Sequence, residues 1–234
     1  MKIVLPLLSA LIFLFSAPLS SQELTELKHN IKTAEEKNDT LLLTKAWYQL
    51  GKYYDNLQQM DESNQALRTA MSLSKKNNNY QSLSSVANYL ASNFSITGES
   101  DSAIIYYNLA IDACIKSADS LKLSGVLINL GDEYASTGNY VTAARHSLMA
   151  IRIKETLKDS ANLAYFYQKV GEIYKLAGEN DKWEEYVHKA YRLISNEKYT
   201  SIKAVAGIYN DLGGIAETQG NYSQALLYYD TLVS

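Results

Sequence analysis

The chain has 234 residues, 47% of them hydrophobic and 20% charged, which excludes a disordered polymer and leaves room for one or two ordinary domains or one repeat array. A net charge of -3 excludes the basic footprint that nucleic-acid binders carry. The single cysteine, Cys114, excludes an internal disulfide, so a packed core must hold the fold.

In chain order, the first element reads as an export leader. Lys2 supplies a short positive region, Ile3 to Phe15 is an uncharged apolar run, and Ser16, Ala17, Ser20 and Ser21 are small. This layout predicts a signal peptide over residues 1–21, with an apolar core short for a membrane span. An uncleaved anchor is the alternative, because Leu19 is larger than a cleavage site prefers. Residues 22–38 follow as a lone amphipathic helix. Leu24, Leu27, Ile31 and Ala34 lie on one side, and Glu23, Glu26, Lys28, Lys32 and Glu35 on the other. It is expected to cover the open end of whatever follows.

From residue 39 onward the sequence repeats itself. Trp47-Leu50-Gly51-Tyr54 is followed by Ala87-Leu90-Ala91-Phe94, Leu127-Leu130-Gly131-Tyr134, Tyr167-Val170-Gly171-Tyr174 and Tyr209-Leu212-Gly213-Ala216. The third member of each set falls at 51, 91, 131, 171 and 213, a step of 40 with one step of 42. Spacing of i, i+3, i+4, i+7 places each set on one face of a helix, A. Polar links containing Gly98, Gly138, Gly178 and Gly220 follow, glycine being tolerant of the left-handed conformation that ends helices. A second helix, B, carries Ser63-Leu67-Ala70, Ala103-Tyr107-Ala110, Ala143-Ser147-Ala150, Trp183-Val187-Ala190 and Ala225-Tyr229-Leu232. Asp39-Thr40, Asn78-Asn79, Asp119-Ser120 and Asp159-Ser160 precede the A helices and read as N-caps. The units run about 40–78, 79–118, 119–158, 159–198 and 199–234, the last incomplete. The column glycines predict close A–B contact: Gly131 on Ala143, Gly171 on Trp183, Gly213 on Ala225. The 19 tyrosines are expected to pack between helices.

These residues resemble the tetratricopeptide repeat family. The W-x2-L-G-x2-Y pattern is complete in Trp47, Leu50, Gly51 and Tyr54, and the A-x3-F/Y-x2-A part of helix B appears as Ala103, Tyr107 and Ala110. The resemblance implies an all-α, right-handed α-solenoid of antiparallel helix pairs that binds a protein or an extended peptide in its concave groove. This sequence departs from the pattern in three ways. Its period exceeds the usual ~34, so the helices should lengthen by up to about two turns in total. No repeat ends in proline, since Pro6 and Pro18 both lie in the leader. Trp183 fills a slot that normally holds a small residue.

Long-period repeats of this kind look like those of bacterial sensor proteins. The expectation is therefore the exported sensory or scaffold part of a longer signalling protein, periplasmic or otherwise extracytoplasmic, with membrane attachment open through a further C-terminal part. The chain's stop inside the fifth B helix motivates that expectation. The alternative is a free-standing secreted or periplasmic adaptor in a multiprotein assembly.

Chemistry is sparse. His29, His146 and His188 have no ligand partner at helical spacing, and no HExxH, CxxC, Gly-rich phosphate loop or serine elbow occurs, so neither metal, cofactor nor catalytic residues are expected. Cys114 reads as a buried small hydrophobe. The acidic pairs Glu35-Glu36, Asp132-Glu133 and Glu184-Glu185 read as solvated helix faces. Asn38, Asn93 and Asn221 begin Asn-x-Ser/Thr sequons, Asn93 inside a helix.

By position relative to the packing face, the groove candidates of the first two repeats are Lys45, Tyr48, Lys52, Asn88, Tyr89 and Ser92. Those of the third and fourth are Ile128, Asn129, Asp132, Tyr165, Gln168, Glu172 and Lys175. Asn210, Asp211 and Glu217 come from the fifth. Asn88, Asn129, Gln168 and Asn210 form a carboxamide series able to donate to and accept from a peptide backbone without reading its side chains. The basic clamp that some family members close on C-terminal carboxylates is not reproduced beyond Lys45 and Lys52.

Overall fold

A computed structural model describes residues 22–159, 162–194 and 202–231, apart from the side chain of residue 203. The leader, Ser160 and Leu232 lie outside those residues. The described residues form eleven helices and no strand. They are α1 (22–36), α2 (Thr40–Asn56), α3 (Met60–Lys76), α4 (Tyr80–Ile96), α5 (Ser100–Lys116) and α6 (Ser120–Ser136). α7 (Tyr140–Thr156), α8 (Leu163–Leu176), α9 (Asn180–Ile194), α10 (Ile202–Thr218) and α11 (Tyr222–Asp230) complete the set. Each helix packs on the next, and even-numbered A helices pair with odd-numbered B helices as antiparallel hairpins, giving an α-solenoid.

The long period has a simple origin. The helices from α2 to α7 are each 17 residues, joined by three-residue links. One link does two jobs at once. In the α4–α5 link, the N–H of Gly98 (φ 79°) bonds Ser95 O at 3.1 Å and that of Glu99 bonds Phe94 O at 2.8 Å. That is the paired capping of a Schellman motif, and Glu99 is already the N-cap of α5. The B-to-A links use the same geometry without glycine: Asn38, Asn78, Ala118 and Lys158 sit at φ 50–54°. The caps read from sequence hold at Asp39, Asn79 and Asp119, whose side chains accept from Leu42, Ser82 and Lys122 N–H groups. Asn139 and Asn221 cap α7 and α11 in the same way. The fourth expected cap, Asp159-Ser160, lies partly outside the described residues; Asn162 precedes α8 in the left-handed conformation, and Asp159 accepts from the ammonium of Lys154 at 2.8 Å.

The repeat faces form the core. Leu67, Leu90, Leu130, Val170, Val187 and Leu212 are buried, as is Cys114, whose thiol burial pushes up in pKa. α1 closes the N-terminal end, with Ile31 packing into a cluster with Ala46, Leu50, Tyr53 and Ala66. Tyrosines pack in pairs between helices, as in Tyr48–Tyr89, Tyr174–Tyr186 and Tyr191–Tyr209.

Three packing expectations change. A methyl on Gly131 would meet Ser147 Oγ before Ala143, and one on Gly213 would meet the Tyr229 ring rather than Ala225. Trp183 does not disturb the fourth repeat. It is buried because Gly171 leaves room on one side and Gly214 of the next A helix on the other, and Lys175 Nζ lies 4.4 Å from its ring. Asp132-Glu133 is not a solvated face: Glu133 is 3% exposed, and α8 lies across α6 and brings Lys169 onto Asp132.

Candidate functional site

Curvature follows from which helices meet across repeats. Successive A helices touch (α2–α4, α4–α6, α6–α8, α8–α10), whereas no B helix touches the next B helix among the described residues. A helices therefore line the inner, concave side and B helices splay on the outside.

Polar side chains stitch the inner wall from repeat to repeat. Tyr89 OH donates to Asp55 at 2.6 Å, joining α4 to α2. Asn129 Nδ2 donates to Asn88 Oδ1 at 3.1 Å, joining α6 to α4. Lys122 Nζ reaches Ser85 Oγ at 2.9 Å and Gln81 O at 3.3 Å across the same pair. Lys169 of α8 pairs with Asp132 of α6 at 3.2 Å and with its own neighbour Glu172 at 2.8 Å. Between α8 and α10, Gln168 Nε2 donates to Asp211 at 3.3 Å and Lys175 pairs with Asp211 at 3.5 Å. Gln168 also donates to Glu172. Gln168 fits because Gly207 faces it, where a methyl would stand 2.9 Å from Nε2.

These contacts set the local electrostatics. Burial raises the Asp132 carboxyl to about 6, against the lowering influence of Lys169. Burial also raises Asp211, with Gln168 and Lys175 opposing. Burial lowers Lys169, but Asp132 and Glu172 outweigh it and leave the ammonium more basic than usual. Tyr48 and Tyr165 are raised by burial.

The expected groove residues thus fall into groups. Tyr48 stacks edge-on against Tyr89, with Lys52 Nζ 6.0 Å from its ring, and Lys45 and Lys52 are exposed. Asn88 and Asn129 come together as a bonded pair. Ser92 lies near the Tyr107 hydroxyl of its own repeat and opposes the rise in pKa that burial imposes on it. Ile128 is buried in the core with Phe166 and Val170. Asp132, Gln168, Glu172, Lys175 and Asp211 form one connected polar cluster, in which Gln168 is 4% exposed. Asn210 and Glu217 are exposed. The carboxamides are therefore not four equivalent groups along the wall: two bond each other, one is buried, and one faces solvent.

Two clefts open on this wall. One of about 520 Å³ is lined by Lys45, Tyr48, Gln81, Ser85 and Lys122, and one of about 490 Å³ by Asn88, Lys122, Gly125, Asn129 and Tyr165. Lys122 borders both. Sequence reasoning missed Lys122 and Gly125, although each lies a helical repeat of four or seven residues before Asn129 and so on its face. Gly125 is distinctive. A methyl added there would meet nothing within 4 Å, whereas Gly51, Gly131, Gly171, Gly207, Gly213 and Gly214 all have close neighbours. Mid-helix glycine costs about 1 kcal/mol against alanine, and at Gly125 no packing contact offsets it.

Asn93 is buried, and its Nδ2 donates to Ser63 Oγ and Asn64 Oδ1, both at 2.9 Å, so that sequon is closed to modification in the folded chain. Among the described residues no group of three His, Cys, Asp or Glu side chains could hold a metal ion, and no helix is long and apolar enough to cross a membrane.

The tetratricopeptide repeat family model matches residues 44–77, the first helix pair. No curated protein shows significant similarity to the chain. Among solved structures, BtubC (BKLC) from P. vanneervenii is 15% identical with a TM-score of 0.80, over 91% of this chain and 89% of its own. The apo form of RapI is 13% identical with a TM-score of 0.72, over 94% of this chain and 71% of its own. A Rap protein complexed with competence and sporulation factor is 14% identical with a TM-score of 0.63, over 95% of this chain and 71% of its own. At these identities the likeness establishes the fold.

Proposed function

We propose that this chain, a solenoid of tetratricopeptide-type repeats, binds a protein segment or extended peptide along its concave wall. One observation carries the reading: two clefts run in succession along the A helices and share Lys122, and the second is lined by mid-helix Gly125, where an added methyl would meet no neighbouring atom within 4 Å. A bare stretch of helix allows a peptide main chain to come closer than any side chain would permit. Lys45, Lys52, Tyr48, Tyr165 and the Asn88–Asn129 pair then offer cations, rings and amide groups beside it. That one similar fold is a Rap protein complexed with competence and sporulation factor supports ligand binding by this architecture. The reading assigns the chain no catalytic role, cofactor or nucleic-acid partner.

Its setting is proposed from the leader-like N-terminus: the exported sensory or scaffold part of a bacterial signalling protein, with a free-standing extracytoplasmic adaptor as the second reading. A downstream coding sequence holding a hydrophobic run of about 20 residues favours the first. Its absence favours the second. Recovery of the chain in the periplasm with Gln22 or a near neighbour as its first residue supports export, and retention in the cytoplasm refutes it.

The binding claim is tested by capturing peptides from a library on the full chain. Gly125→Leu fills the second cleft without touching the core and should abolish capture while raising the thermal midpoint by about 2–4 °C through helix propensity. A triple Asn88, Asn129 and Asn210 alanine variant should weaken it. Undiminished capture by both variants overturns the concave assignment.

A further inference from the structure

The repeats serve as their own alignment, and one B helix departs from its sisters. At the second helical position, α3, α5 and α9 carry Asp61, Asp101 and Asp181. An acid there is favoured by the helix dipole. The short α11 has Ser223 there and no acid in its first turn. α7 likewise has no acid in its first turn, and of these helices it alone places an apolar residue, Val141, in that slot, 85% exposed. The departure continues along the same face. Where the sisters have Gln65, Ile105 and Glu185, α7 has Arg145. Where they have Thr69, Leu109 and Lys189, it has Met149, 47% exposed. Where they have Ser72, Asp112 and Arg192, it has Arg152.

These residues border one outer cleft of about 520 Å³ between α7 and the α8–α9 turn, completed by Leu148, Tyr174 and Lys182. The chain has only four arginines, and two of them are here. Lys182 is occupied by Glu179 at 3.3 Å. Neither Arg145 nor Arg152 has an ion-pair partner among the described residues. Seven residues apart on one helix, the Cα atoms of the two arginines stand about 10 Å apart along its axis, with Leu148 and Met149 between them.

We propose that this outer cleft is a second docking site, for an acidic amphipathic helix of a protein partner. The partner's apolar side chains pack on Val141, Leu148 and Met149. Carboxylates two turns apart on the partner pair with Arg145 and Arg152, the planar guanidinium being suited to bidentate carboxylate recognition. Helical spacing on the partner matches the arginine spacing because both follow the same rise per residue. The site lies on the outer face and is independent of the concave reading.

The test titrates the full chain into a fluorescein-labelled helical peptide of about 15–18 residues, with leucines along one face and glutamates two turns apart beside them. Anisotropy should report saturable binding that weakens as salt rises. Arg145→Glu with Arg152→Glu should weaken it about tenfold or more, and Val141→Asp, which restores the sister residue, about fivefold. Gly125→Leu should leave it unchanged, which separates this site from the inner wall. Circular dichroism melting should show all three variants folded, Val141→Asp melting no lower than the parent. Absence of binding by the parent overturns the proposal. So do retention of affinity in the double arginine variant and equal binding of a scrambled peptide. Arginine-dependent capture of phosphatidylserine vesicles in place of the peptide also overturns it.

Discussion

Replacing Gly51 by alanine adds one methyl to a helix and removes one source of helix cost. Alanine gains about 1 kcal/mol over glycine from propensity. The new Cβ would stand 2.7 Å from Leu67 Cγ and 2.9 Å from Cδ2, with Ser63 O at 3.3 Å. Leu67 is fully buried, so its branch point cannot swing away. Overpacking costs about 1–3 kcal/mol, and two displaced carbons place this site near the upper end. The net loss is about 2 kcal/mol, or roughly 4–8 °C of melting temperature for a chain of this size. Gly171, 120 residues on in the same column, should behave oppositely. There the nearest atom is Val187 Cγ2 at 3.2 Å, a methyl that must yield only slightly. The propensity gain then wins, and Gly171→Ala should be neutral or stabilise by up to about 0.5 kcal/mol. Ala91, which occupies the column natively in the second repeat and is fully buried, shows that alanine is compatible with the stack when the facing helix allows it. Parallel urea titrations followed by far-ultraviolet circular dichroism measure both variants. Equal stability of the two, or the reverse order, refutes the assignment of this column to A–B contact distance.

Ala118 holds φ 54° without glycine's freedom, so Ala118→Gly should stabilise the chain by about 1 kcal/mol, read as a higher urea midpoint. Asn93→Ala removes the donor shared by Ser63 and Asn64 in the core and should cost about 2 kcal/mol in the same titration. Asp132 holds its proton more tightly when folded, up to about 6 from an ordinary 3.8, so folding takes up a proton between those values. Stability therefore falls as pH rises from about 4 to 6, and Asp132→Asn should flatten that slope in melting temperatures taken across the window.

The hairpins were legible because their signals are local. The column of Leu50, Leu90, Leu130, Val170 and Leu212 has helical period, and Asp39, Asn79 and Asp119 mark helix starts by side-chain chemistry that acts within three residues. The inner wall was legible only to the level of a face. Placing Asn88 and Asn129 on the same side of successive helices follows from counting. That Asn129 bonds Asn88, or that Gln168 turns inward onto Asp211, depends on how far neighbouring A helices slide past one another, which no single helix encodes. Asp132-Glu133 looked solvated because a helix taken alone has a polar face there, and only α8 laid across it supplies Lys169.

The same distinction separates residues that keep the stack from residues that use it. A side chain serving only the solenoid should recur at each unit, because every hairpin solves the same packing problem; the buried B-face residues Ala70, Ala110, Ala150 and Ala190 do so. Side chains that break the recurrence without a packing return are under a different demand. Trp183 breaks it but is repaid by the space at Gly171 and Gly214, so it belongs to the fold. Gly125 and Val141 have no such return: Gly125 leaves a helix bare where nothing fills it, whereas its counterpart Gly207 makes room for Gln168, and Val141 exposes an apolar group where α3, α5 and α9 place a dipole-stabilising acid. Those two positions lie on opposite faces of the solenoid, so no single adjustment of the stack accounts for both.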